Sequence, residues 1–181
     1  MLINKTLWRF FATATIFFWI SLSAHAQLLM QPNISVAQAQ KIIETIITEC
    51  SIPGDLVTVT IAVVDRTGQP VMQVRADTAS PHNWELAYRK AYTARTFRRN
   101  SIDWRDRTSD GSNLSGQRAL NKVIPLGGGA PIMSGEIPVG AVGVSGAGIR
   151  FPELYQSAGT GQEADTVCAE LGIAAIADDL E

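Results

Sequence analysis

The sequence is poor in the residues on which most catalytic sites are built. It has two histidines and two cysteines in 181 residues, and charged side chains make up 18% of it. One histidine, His25, falls in an N-terminal segment with the marks of an export signal, which leaves His82 for the folded domain. Two cysteines and one histidine are too few for a zinc site of the Cys/His type. No lysine and Ser/Thr follow Gly127-Gly128-Gly129 at phosphate-loop spacing, and no strand-to-helix transition surrounds it. Ser145 sits in Gly143-Val144-Ser145-Gly146-Ala147, which is not a Gly-x-Ser-x-Gly elbow. Carboxylates are scattered without a paired arrangement. Catalysis by side chains alone is poorly supported.

The chain also lacks an apolar run long enough to span a bilayer. Phe10 to Leu22 gives 13 largely apolar residues, where about 20 are needed. Lys5 and Arg9 precede the run, and Ser23-Ala24-His25-Ala26 follows it as an A-x-A site. This is the pattern of a secretory signal, residues 1–26, cleaved before Gln27, with a periplasmic or secreted domain at 27–181 and no membrane association after cleavage. Removal takes two basic and no acidic residues from a chain carrying 15 and 17, so the mature net charge is −4. That balance argues against nucleic acid as a partner. Export would put Cys50 and Cys168 in an oxidising compartment. Each also suits an apolar helix face, so two buried thiols are favoured over a disulfide.

What is present is organised around residues 88–146. Before it, Ser35 caps a helix running to about Cys50, with Ile42, Ile43, Ile46, Ile47 and Cys50 at helical spacing. Leu56 to Asp65 alternates β-branched residues and predicts a strand, returned through the turn Arg66–Gln69 by Pro70–Arg75. Ser80-Pro81 predicts the start of a central helix, with Ala87, Ala91, Ala94 and Phe97 as its buried stripe and Glu85–Arg89 as an outer pair. Residues 100–121 read as a long polar loop containing one helical turn, either functional or mobile. A hairpin through Ser134-Gly135-Glu136 follows, then a strand over Ile137–Ser145 whose Gly140 and Gly143 require close neighbours. A terminal helix covers Glu163–Ala177. The order predicts a single α+β domain, an antiparallel sheet with helices on its faces.

Three groups are candidates for binding. His82, in the first turn of the central helix, is either a surface side chain or an axial ligand to haem iron, whose neutral imidazole the helix N-terminus favours. Arg89, Lys90, Arg95, Arg98, Arg99, Arg105 and Arg107 crowd one stretch of an acidic chain. Arg95 and Arg99 form a like-charge i,i+4 pair, answered either by Asp103 and Asp106 or by a bound carboxylate. Gly127, Gly128 and Gly129 imply close backbone approach to the central helix or to a flat ligand, with tight packing the safer reading.

At these residues the chain resembles a known family. Ala62-Val63-Val64-Asp65-x-x-Gly68, Lys90-Ala91-x-Thr93-Ala94-x-x-Phe97-Arg98, Pro125-Leu126-Gly127-Gly128-Gly129-x-Pro131-Ile132 and Val139 to Gly146 are similar to the GlcG/HbpS-type haem-binding family, over about Ser35 to Ala177. The resemblance implies a profilin-like α/β sandwich, terminal helices on one side of the sheet and the central helix on the other. It implies haem as cofactor, in some members haem degradation, with export and homo-oligomers in others. On this reading Lys90, Arg95 and Arg99 hold the haem propionates and the glycine turn lies against the macrocycle. His82, Thr93 or Met133 approaches the iron. The chain departs from the family pattern in two inserted loops, Trp104–Asn121 and Gly146–Gly161, the latter carrying Phe151, Leu154 and Tyr155. The alternative is a module for a small organic acid such as glycolate, without haem.

Overall fold

Four antiparallel strands form one sheet in the order β2-β1-β4-β3: β1 Thr60–Asp65, β2 Pro70–Arg75, β3 Gly129–Ser134 and β4 Ile137–Ser145. The helices are α1 Val36–Cys50, α2 Asn83–Phe97, α3 Ser101–Arg107 and α4 Gln162–Ala174, with short 3-10 turns at Ser115–Ala119 and Ala177–Asp179. The structure is a computed structural model and describes residues 29–50, 58–147 and 162–180. The signal at 1–26, the start of the first expected strand at Leu56 and Val57, and Phe151, Leu154 and Tyr155 lie outside the described residues. The domain is the unit Pro32–Glu181.

Period-two alternation sorts β1 onto two faces. Ile61 and Val63 enter a core with Val142, Val144, Ala130 and Ile132, covered by α1 and α4 through Ile42, Ile46, Ala164 and Cys168. Burying each of those isoleucines contributes about 1.5–3 kcal/mol. Val64 and Ala141 face the other way, onto Ala91 and Ala94 of α2. The sheet thus has the terminal helices on one side and the central helix on the other, the profilin-like sandwich expected.

The first helix starts as the sequence predicts. Ser35 Oγ accepts from the Gln38 N–H at 3.2 Å while the Gln38 side chain accepts from the Ser35 N–H at 3.0 Å, a reciprocal capping box. In the turn between β1 and β2, Gly68 takes φ 81°, a conformation glycine adopts without steric cost. The central helix begins two residues later than Ser80-Pro81 suggests, because residues 80–83 form a separate turn in which the Asn83 N–H bonds the Ser80 carbonyl.

Three expectations are corrected. Residues 100–121 are not one long loop: Ser101–Arg107 is helical, anchored by Trp104, 2% exposed and stacked on Phe97 at 4.8 Å. The last helix ends at Ala174, and Leu171 and Ala174 face outward while Ala164 and Ala169 are buried. Cys50 and Cys168 are not two thiols but a disulfide, Cα–Cα 6.1 Å, joining α1 to α4. The cause is tertiary. Gly172 has no side chain to hold off Ile46, whose Cδ1 would lie 2.7 Å from an added Cβ, so the two helices pack close enough to bring the sulfurs together.

Candidate functional site

The 3.6-residue period that puts Ala87, Ala91 and Ala94 on the sheet turns Trp84, Tyr88 and Tyr92 outward at i,i+4,i+8. Trp84 is 49% exposed. The Tyr88 and Tyr92 rings lie 6.1 Å apart. Two grooves flank this stripe and share Glu85 and Tyr88. One, of about 520 Å³, lies between α2 and edge strand β2, with Pro70, Val71, Met72 and Trp84 as apolar walls. The other, of about 470 Å³, lies between α2 and residues 118–122 and presents Arg89, Arg118 and Lys122.

The second groove is held by hydrogen bonds that leave one cation over. Arg89 bonds Glu85 at 3.1 Å and the Val123 carbonyl at 2.6 Å. Arg118 donates to Thr108 Oγ1 and the Arg105 carbonyl and stands 3.8 Å from Asp110. Lys122 has a left-handed backbone, φ 66°. Its ammonium lies 5.9 and 5.5 Å from the Tyr88 and Tyr92 ring centroids, within cation–π range, and is paired with no carboxylate among the described residues. The result is an aromatic strip, apolar on one side and cationic on the other. It suits a flat, largely apolar molecule carrying carboxylates.

The residues singled out in the sequence are not brought together. His82 is exposed and makes no side-chain cap bond. It lies one turn before Glu85 and lines neither groove. Lys90 is 2% exposed; its ammonium bonds Asp165 at 2.7 Å and the Val144 carbonyl at 3.0 Å. Burial pushes the Asp165 carboxyl up, opposed by Lys90 and the Ala147 and Gly146 N–H groups. Thr93 Oγ1 donates to the Arg89 carbonyl and accepts from the Ile124 N–H.

Gly127, Gly128 and Gly129 are buried. A Cβ on Gly128 would lie 2.7 Å from Asp165 Cβ, and one on Gly129 would strike the Lys90 carbonyl. The glycine turn therefore packs against α2 and α4, as the safer reading held. Met133 is on β3, the sheet edge opposite β2. Arg98 caps α2 with φ 53°, so Arg99 lies beyond the helix and the expected i,i+4 pair with Arg95 does not form on it. Asp106 bonds Arg105 instead, and Arg99 bonds the Phe97 carbonyl.

Sequence reasoning missed Trp84, Tyr88, Met72, Arg118 and Lys122. The aromatic spacing of Trp84, Tyr88 and Tyr92 was a usable signal, whereas Arg118 and Lys122 reach α2 only through tertiary structure. Among the described residues no group of three or more His, Cys, Asp or Glu side chains could hold a metal ion, and no helix is long and apolar enough to cross a membrane.

The sheet order and helix placement define a profilin-like α+β domain with a solvent-facing amphiphilic groove. This chain belongs to the HbpS-like family, whose description is haem degrading protein HbpS-like and whose model matches residues 34–150. A curated relative, an uncharacterized 15.0 kDa protein of Citrobacter freundii encoded in a dhaT-dhaS intergenic region, is 31% identical over 127 residues, covering 67% of this chain and 86% of the relative. A double mutant of Streptomyces reticuli HbpS is similar in structure, with TM-score 0.67 and 25% identity over 82% of this chain and 90% of that one. A PduOC–haem complex shares the fold at TM-score 0.66 and 24% identity, over 80% of this chain and 96% of that one. Haem is thus the cofactor associated with the family, in agreement with the sequence.

Proposed function

We propose that this protein binds haem on the outward face of α2, and that it is exported to do so. The observation that carries the reading is the pair of grooves that meet at Glu85 and Tyr88: Trp84 and Met72 in one, Arg118 and Lys122 in the other. A porphyrin has the same division, an apolar plate with two carboxylates at one edge. The macrocycle would lie along Trp84 and Tyr88, and Lys122 and Arg118 would meet the propionates by charge-assisted bonds. His82, the sole imidazole after export, lies one turn before the groove residue Glu85 and is the proposed iron ligand. Lys90 and Thr93 then serve as internal supports of α2 rather than as ligand contacts.

Bound haem would supply the redox chemistry, and the protein's part is to orient the plate, exclude water from one face and neutralise the propionates. Sequestration or carriage needs no more than this. Haem degradation is the further step that the family's description suggests. Export is supported by the A-x-A segment and by the Cys50–Cys168 disulfide, a bond that persists in oxidising compartments.

The test is a haemin titration followed by absorbance. Saturable one-to-one binding with a shifted Soret band is expected. Trp84→Ala and Lys122→Glu should each weaken it about tenfold or more, and His82→Ala should abolish the shift while leaving some binding. A featureless, non-saturating titration ends the haem reading. Bleaching of the Soret band with reductant or peroxide separates degradation from carriage.

A further inference from the structure

The far end of α2 holds a second group of cations that the haem groove does not use. Arg95 lies in its last turn, Arg98 caps it in a left-handed conformation, and Arg66 opens the turn after β1. That turn is pressed onto α2 at Gly68, where an added Cβ would stand 2.9 Å from the Tyr92 ring. The turn carrying Arg66 thus lies against the helix carrying Arg95, and the charges of Arg98 and Arg66 both act on Arg95. Among the described residues the carboxylate that acts on Arg95 is Asp65, whose Oδ1 already accepts from the Thr67 N–H, the Thr67 hydroxyl and the Gln69 N–H at 2.7–2.9 Å. The Nε atoms of both Arg66 and Arg95 are buried without an acceptor. Burial, with Arg98 and Arg66 alongside, lowers the Arg95 pKa from its ordinary value, only partly opposed by Asp65.

A buried donor without a partner costs stability, and so do like charges held together. Carbonyls at the end of α2 attract cations generally, but they leave these two Nε atoms unmet. We propose that Arg66, Arg95 and Arg98 form a binding site for a small dianionic oxyanion. Two positive charges remain after Asp65 is counted, and planar forks match carboxylate or phosphate oxygens. The site goes beyond haem binding: it uses none of the groove residues and is tested on protein free of haem.

The experiment is calorimetric titration of the haem-free protein with oxalate and, separately, with inorganic phosphate, each against sodium chloride of equal ionic strength. One-to-one saturable binding is expected for at least one. Tighter oxalate points to a dicarboxylate, tighter phosphate to a phosphate monoester. Arg66→Gln and Arg95→Gln should each weaken binding about tenfold, and Trp84→Ala should not change it. Without anion, Arg66→Gln should melt at the same temperature as the parent or higher, because a repulsion is removed; a purely structural arginine would lower it. Should a variant not fold, the parent's rise in melting temperature with oxalate or phosphate over chloride carries the same test. Binding of neither anion, or binding undiminished in both arginine variants, overturns the proposal.

Discussion

Gly129 lies directly opposite Gly143 across the β3–β4 ladder, and α2 rests on both. A Cβ on Gly143 would strike the Ala87 carbonyl and stand 2.6 Å from the Ala91 amide; one on Gly129 would strike the Lys90 carbonyl. The obstacles are helix backbone, which cannot swing aside as a side chain can. Gly143→Ala should therefore destabilise the fold by about 3 kcal/mol, at the upper end of the range for overpacking. Urea denaturation measures this, and a loss below about 1 kcal/mol would mean that α2 can lift from the sheet.

The Lys90–Asp165 pair joins α2 to α4 with both side chains under 10% exposed, at 3% and 8%. Removing one partner strands a buried charge, so Lys90→Met should cost about 3–5 kcal/mol. Lys90→Met with Asp165→Leu should recover much of that loss. The two unfolding curves, measured side by side, test the coupling; equal losses in the single and double variants would contradict it.

Cys50 and Cys168 are separated by 118 residues. Cross-linking so long a loop restricts the unfolded chain, and Cys50→Ala with Cys168→Ala should cost about 2–5 kcal/mol. A reducing agent should lower the melting temperature of the parent and leave that of the double variant unchanged.

Asp65 is the group whose titration bears on acid stability. Burial raises its pKa, but the Thr67 hydroxyl and the Gln69, Thr67 and Gly68 N–H groups outweigh that, and the net displacement is below the ordinary 3.8. A depressed carboxyl binds its proton more weakly folded than unfolded. Its stabilisation is present above the ordinary value and is lost as pH falls from about 4 through the folded pKa. Asp65→Asn should flatten the stability–pH profile over that acid range, and a profile parallel to the parent's would assign the acid loss to other carboxylates.

Much of the fold was legible because its signals are local. The alternation Ile61, Val63, the Ser35/Gln38 cap, the alanine stripe of α2 and Gly68 in its turn are each decided within a few residues. The misses share a different cause. Arg98 and Lys122 take left-handed backbones without being glycine or asparagine, so neither the end of α2 nor the placement of the Lys122 ammonium had a sequence mark. The helix Ser101–Arg107 shows no periodic stripe because Ser101 and Trp104 are its only buried residues. Lys90 read as a free cation, for its partner lies 75 residues downstream. Of the candidate site, the cationic character of α2 and its surroundings was visible, but the residues lining the grooves depend on how β2 and residues 118–122 fold back beside the helix.

The sheet also acts as a partition. The disulfide and the large isoleucine core lie on one side, Trp84, Tyr88 and the cations on the other, while Val71 and Met72 of edge strand β2 touch both. Sequence change at Trp84, Tyr88 or Lys122 can therefore retune the ligand-facing side without passing through the clasp that holds α1 to α4. The reverse also holds: relatives could lose the two cysteines, or exchange core isoleucines, and keep the same surface chemistry.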